Sequence, residues 1–177
     1  MKSLSQRLCP SVFFEKGDEG EIESVLMDEG IRKDELHIVG VTLGYVNPGK
    51  LSIIDRVARK VPHFCHRSLF DSKRDRKWMS TRLRGTIKAL EWLLENTEAK
   101  IMLFSHVHRV DSAGNMRPGP DMPVVEFIYD SLRSYGYEES RVTVIRNQYD
   151  AKIMKGLIGH FSMVVSGRLH AAVAALS

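Results

Sequence analysis

The sequence predicts an α/β fold, a parallel sheet covered by helices on both faces, and three observations predict it. Apolar runs of strand length alternate along the chain with segments whose apolar residues recur at helical spacing. The stretches between them carry Gly, Pro, Asn and Asp, the residues of turns. Near the end, "FSMVV" passes through Ser-Gly into "RLHAAVAAL". That is the pattern of a buried strand, a tight turn and a helix N-terminus, the place where α/β proteins bind ligands.

Taken in order, "ELHIVGVTLGY" (35–45) is β-branched and bounded by acids and by "NPG", which marks a strand and its turn. "RGTIKALEWLLENT" spaces Ile87, Leu90, Leu93 and Leu94 as one helical face that closes near Asn96. A second strand follows in "AKIMLFSHV" (99–107), and then "HRVDSAGNMRPGPDMP", a loop long enough to suggest function. "PVVEFIYDSLRSYGY" reads as a helix with Pro123 in its first turn and Gly136 near its end. "SRVTVIR" (140–146) is a third strand, and "DAKIMKGLIGH" (150–160) a short helix with Asp150 as N-cap. "FSMVVSG" is the fourth strand, and the last helix starts near Arg168. Small residues at Ala171, Ala172, Ala174 and Ala175 let that helix pack close to the sheet. We therefore divide the chain into an acidic N-terminal segment and linker (1–35) and one α/β domain (36–177). The domain looks incomplete at its C-terminus, because the helical pattern still runs at Ser177.

With 177 residues, 43% of them hydrophobic and 27% charged, the chain is long enough for one domain with its own core. No stretch approaches the ~20 uninterrupted apolar residues of a membrane span, and "MKSLSQRLCPSVFF" lacks the apolar centre of a secretory signal, so a cytoplasmic location is expected. Cys9 and Cys65 lie far apart and read as two free thiols in a reducing compartment. The net charge of +4 is uneven, acidic from Glu15 to Glu35 and basic from Arg56 to Lys88. The basic stretch suits an anionic partner or is a solvated face. No zinc-finger spacing, aromatic RNA-binding pattern or basic zipper accompanies it, so nucleic acid is not the expected partner.

Arg168 and His170 are the first candidates. At the end of a parallel strand, the first turn of the next helix presents unpaired N–H groups and the positive end of its dipole. An arginine there adds a planar fork for carboxylate or phosphate, and a histidine adds a group that exchanges protons near neutral pH. The alternative is an arginine in a surface cap or salt bridge and an inert, half-buried histidine. His106 and His108 share a face if their strand persists through both. They suit an anion-binding or acid/base role better than a metal, for which Asp111 is the nearest further ligand; two exposed loop histidines are the plainer reading. "GYVNPGK" (44–50) lacks the spacing of a phosphate loop and reads as a turn that can still touch a ligand. Trp78 and Trp92 are expected to bury area.

The stretch "YDAKIMKGLIGHFSMVVSGRLHAAVAALS" resembles the C-terminal part of the polysaccharide pyruvyl transferase family, whose segment of the form D-L-V-V-x-x-R-L-H-A corresponds to Phe161 through Ala171, with Ser162 at the aspartate position. "LCPSVFF" (8–14) is similar to that family's linker, and "FSHVHRVD" to the strand and histidine turn before its variable loop. The resemblance implies an enzyme of two Rossmann-like halves arranged like GT-B transferases, of which this chain supplies the C-terminal one. It implies transfer of the enolpyruvyl unit of phosphoenolpyruvate to a pair of sugar hydroxyls as a ketal, in exopolysaccharide or cell-wall polysaccharide synthesis. Phosphoenolpyruvate is then the donor, a saccharide the acceptor, and no cofactor or metal is required. A peripheral position near a lipid-linked sugar is compatible with it. Arg168 and His170 become the catalytic pair, with Arg168, Leu169, His106 and His108 binding substrate. Two other classes stand beside this one. A GT-B nucleotide-sugar glycosyltransferase half would prefer a nucleotide sugar, and a non-catalytic binding module would show no affinity for either donor.

Overall fold

The computed structural model describes residues 15–32, 37–44, 73–110 and 112–176. Cys9, Cys65, Asp111, the "LCPSVFF" stretch, Tyr45–Lys50 and most of the basic stretch lie outside the described residues, as does the side chain of Trp78.

The sheet is built from β1 (Ile38–Thr42), β2 (Lys100–Phe104), β5 (Val142–Ile145) and β6 (Met163–Ser166), all parallel, in the spatial order β5-β2-β1-β6. Between β2 and β5 lie two short antiparallel strands, β3 (His108–Val110) and β4 (Met116–Pro118). The helices are α1 (Glu19–Asp28), α2 (Lys73–Asn96), α3 (Met122–Ser134), α4 (Ala151–Gly159) and α5 (Leu169–Leu176). The expected parallel sheet with helices on both faces is therefore present.

Strand alternation divides the core in two. Val39 and Val41 of β1, Ile101 and Leu103 of β2, and Val142 and Val144 of β5 face α2 and α3, meeting Ile87, Leu90, Leu94, Val124, Ile128 and Leu132. Ile38, Met102, Phe104 and Ile145 face the other way, onto Ile22, Val25 and Leu26 of α1 and Ile153, Met154, Leu157 and Ile158 of α4. Each central strand buries side chains on both sides, which explains why their sequences are continuous apolar runs.

Local chemistry sets the element ends. Asp150 accepts from the N–H groups of Lys152 and Ile153, the N-cap expected for α4. Pro123 lies in the first turn of α3, and Gly136, at φ +96°, takes the left-handed conformation just past its end.

Three features differ from the sequence expectation. Helix α2 begins at Lys73, well before the apolar stripe at Ile87. The long loop contains the β3–β4 hairpin. Within the acidic stretch assigned to a linker, Asp18 caps α1, and Ile22, Val25 and Leu26 are buried.

Candidate functional site

The strand order places the site. From β1 the chain moves outward through β2 to β5 on one side, then returns to β6 on the other side of β1. Between β1 and β6 the direction of winding reverses, and the crevice beyond the carboxyl ends of these two strands is where open α/β sheets bind ligands. Two short segments form its floor. Thr42 ends β1 and Leu43 and Gly44 follow it, while Ser166 ends β6 and Gly167 and Arg168 follow it, with Thr42 and Ser166 in register and the Gly167 N–H donating to the Thr42 carbonyl at 2.8 Å.

A cavity of about 240 Å³ opens there, walled by Leu43 and Gly44, Arg82 and Thr86 of α2, Val124 of α3, and Gly167. A larger groove of about 600 Å³ lies where α2 passes β6, between Ala89, Trp92, Leu93, Met163 and Val165. That groove is almost wholly apolar, with Trp92 61% exposed rather than buried as expected. Ligand sites need convergent polar groups, and those gather at the smaller cavity.

Arg82 and Thr86 are the polar side chains of its wall, and Arg168 stands beside the cavity, next to Gly167 in the chain and against Gly44. The Ser166 hydroxyl accepts from the Arg168 N–H at 3.0 Å and donates to the Arg168 carbonyl at 2.7 Å, a local turn that fixes the residue leading into α5. Its side chain, about one-third exposed, lies against Gly44, where a Cβ would fall 2.6 Å from Nε. Nε donates to Oδ2 of Asp121 at 3.0 Å, and Nη2 donates to Oδ1 of the same carboxylate. Asp121 is completely buried. The bidentate bond to it raises the guanidinium pKa further above its already high ordinary value, against the opposing effect of burial. Arg168 is therefore neither a surface cap nor a surface salt bridge.

Asp121 precedes α3, where an aspartate ordinarily caps the helix with its side chain. Here its backbone carbonyl accepts from Val124 and Val125, while its side chain makes no cap bond and turns to Arg168. It is the residue of this arrangement that sequence reasoning missed.

The remaining candidates are placed as follows. Leu169 and His170 form the first turn of α5, with side chains outside the described residues. His106 is half-buried in the segment after β2, at the same carboxyl edge of the sheet. His108 opens β3, and its side chain is outside the described residues. The strand does not persist through both histidines. It ends at Phe104, and the Ser105 hydroxyl, donating to the Val107 carbonyl at 3.0 Å, turns the backbone between them. The condition for a shared face, one strand running through both histidines, is therefore not met.

Thr42 is fully buried, and its hydroxyl has no hydrogen-bond partner among the described residues. Alternation along β1 turns it to the face of Ile38, beneath α4 and α5. Among the described residues no three His, Cys, Asp or Glu side chains converge as a metal site, and no helix is long and apolar enough to cross a membrane.

A family model described as polysaccharide pyruvyl transferase matches residues 39–177, well over half of the chain and all four strands of the sheet except the first residue of β1. No curated protein and no solved structure matches the chain.

Proposed function

The chain belongs to the polysaccharide pyruvyl transferase family, and from that premise we propose that the crevice between β1 and β6 is the site of phosphoenolpyruvate, the donor of a pyruvate ketal to a saccharide. The observation that carries the reading is Arg168, held at the switch point of the sheet with its Nη1 edge unbonded by any described residue. Phosphoenolpyruvate presents a phosphate and a carboxylate, and an arginine fork beside a helix N-terminus suits either.

In this reaction C3 of phosphoenolpyruvate takes a proton and becomes a methyl group, leaving an oxocarbenium-like centre at C2. One sugar hydroxyl adds to C2 and gives up its proton. The C–O bond to phosphate then breaks, the electron pair leaving with phosphate. A second hydroxyl of the same sugar adds and loses its proton, closing the ketal. Phosphoenolpyruvate and a diol thus become a ketal and hydrogen phosphate, with no change of oxidation state overall. Arg168 binds the anion and stabilises the charge that develops on the departing phosphate. His170, two residues on in the first turn of α5, is our choice for the proton transfers. Leu169, His106 and His108 complete the proposed substrate contacts.

Calorimetric titration tests the donor. Wild-type chain is expected to bind phosphoenolpyruvate saturably. Arg168→Lys keeps a positive charge for buried Asp121 but loses the fork, so its affinity is expected to fall about tenfold or more with the thermal midpoint close to wild type. Equal affinity in this variant would remove Arg168 from the site. A chain that ignores phosphoenolpyruvate and binds a uridine-diphosphate sugar would be a glycosyltransferase half. Binding of neither by the folded wild-type chain would refute a donor site here.

A further inference from the structure

We propose that Asp121 is a positioning residue for anion binding: it fixes the plane of the Arg168 guanidinium so that the free edge of the fork faces the crevice. The inference rests on the donor-site reading above and adds to it a residue from a different element.

Arg168 has a long side chain, and ordering it costs rotamer entropy at the moment of binding unless something has ordered it already. Asp121 does so in the free protein. Its carboxylate spans Nε and Nη2, the side of the guanidinium away from Nη1, and two parallel bonds fix a plane where a single bond would leave a pivot. Gly44 packs against the same side chain, its missing Cβ leaving room for Nε, Cζ and Cδ of Arg168 beside the backbone. The described residues make no bond to Nη1.

The location of the carboxylate supports the same role. Asp121 is fully buried and Arg168 is one-third exposed, so the acid is the fixed partner and the base is the one that reaches solvent. Its backbone belongs to the start of α3, which packs on β2 and β5, so the anchor is tied to the other side of the sheet from β6. An aspartate at a helix start also gives its side chain to this bond instead of to a helix cap.

Two physical effects of opposite sign distinguish this role from simple neutralisation. If Asp121 only cancels the charge of Arg168, removing it frees a full positive charge and an anion binds more tightly. If Asp121 positions the fork, removing it lets the guanidinium wander and an anion binds more weakly. The test is titration of phosphoenolpyruvate into four chains: wild type, Asp121→Asn, Arg168→Lys and the double variant, with thermal melts to establish folding. Asp121→Asn keeps the volume and one acceptor, so it is expected to fold and to weaken binding about tenfold. In the Arg168→Lys background the same change is expected to have almost no effect, since there is no fork to position. The nitrogen-15 spectrum of the arginine Nε–H groups supplies a readout without ligand: the Arg168 signal, identified by its loss in Arg168→Lys, is expected to exchange slowly with water in wild type and rapidly in Asp121→Asn. Asp121→Asn binding as tightly as wild type, or more tightly, overturns the positioning role and leaves the donor site standing. An equal loss of affinity in both backgrounds also overturns it, because Asp121 would then act on the fold and not through Arg168. Failure of the folded wild-type chain to bind phosphoenolpyruvate overturns the donor reading and this inference with it.

Discussion

At Gly44 a Cβ would lie 2.6 Å from Nε and 2.8 Å from Cζ of Arg168, closer than side chains pack. The backbone there is outside the left-handed region, so alanine is acceptable to the main chain, and the nearest atoms in its way are those of the arginine side chain. Gly44→Ala is therefore expected to fold with stability within about 1 kcal/mol of wild type, yet to push the guanidinium off Asp121 and weaken phosphoenolpyruvate binding about tenfold. Calorimetry and a thermal melt check both halves, and unchanged affinity would show that the fork tolerates displacement. Half of this constellation was legible in the sequence. Arg168 announces itself as a charged residue between a buried strand and a small-residue helix. Asp121 does not, because it lies 47 residues away and stands before "MP", where an aspartate reads as a helix cap. Only the turned side chain, given to a partner instead of to the helix, separates the two readings. Gly44 was readable as a turn residue near ligand, but its contact with Arg168 belongs to tertiary structure.

Elements with a strong periodic signal were legible, and those without one were not. β1, β2 and β5 are apolar runs buried on two faces, β6 is an apolar run only partly buried, and α3 and α4 carry their caps and stop signals in the sequence. The β3–β4 hairpin has only three residues in each strand, too few for alternation to emerge from a loop rich in Gly and Pro. The first turns of α2 are "KRDRKWMSTR", in which charge conceals the helical stripe. Helix α1 was readable, since Asp18 is a good cap and Ile22, Val25 and Leu26 fall at helical spacing, but acidic composition drew attention away from them. Its packing has a sharp test. A Cβ on Gly156 of α4 would fall 2.2 Å from Cδ1 of Ile22, whose side chain is only 1% exposed. Gly156→Ala is expected to cost about 1–3 kcal/mol by overpacking the α1–α4 contact, as read by urea denaturation. Gly159→Ala, at a position with nothing within 4 Å, is the control. Equal stability of the two variants would mean that α1 is not seated against α4.

Across the whole molecule, the fold puts its most and least secure strands side by side at the site. All five residues of β1 are buried, whereas in β6 Met163 is 52% exposed and Val164 to Ser166 are half-buried. β1 lies between β2 and β6, while β6 is an outer strand of the described sheet, followed directly by Arg168 and the short helix α5. Local opening is governed by buried contacts, so amides of β1 and β2 are expected to exchange only through global unfolding, and those of β6 and the start of α5 through smaller openings, faster by orders of magnitude. A ligand held by Arg168 bridges this difference, because the arginine is carried by the β6 side and anchored through Asp121 to α3. Saturating phosphoenolpyruvate is expected to slow exchange in β6 and the first turn of α5 by the factor that its concentration over Kd dictates, with β2 and β5 changed least at short exchange times. Hydrogen–deuterium exchange with and without the ligand measures this directly. Protection spread evenly over the sheet, or confined to the groove at Trp92, would place the ligand somewhere other than the β1–β6 switch point.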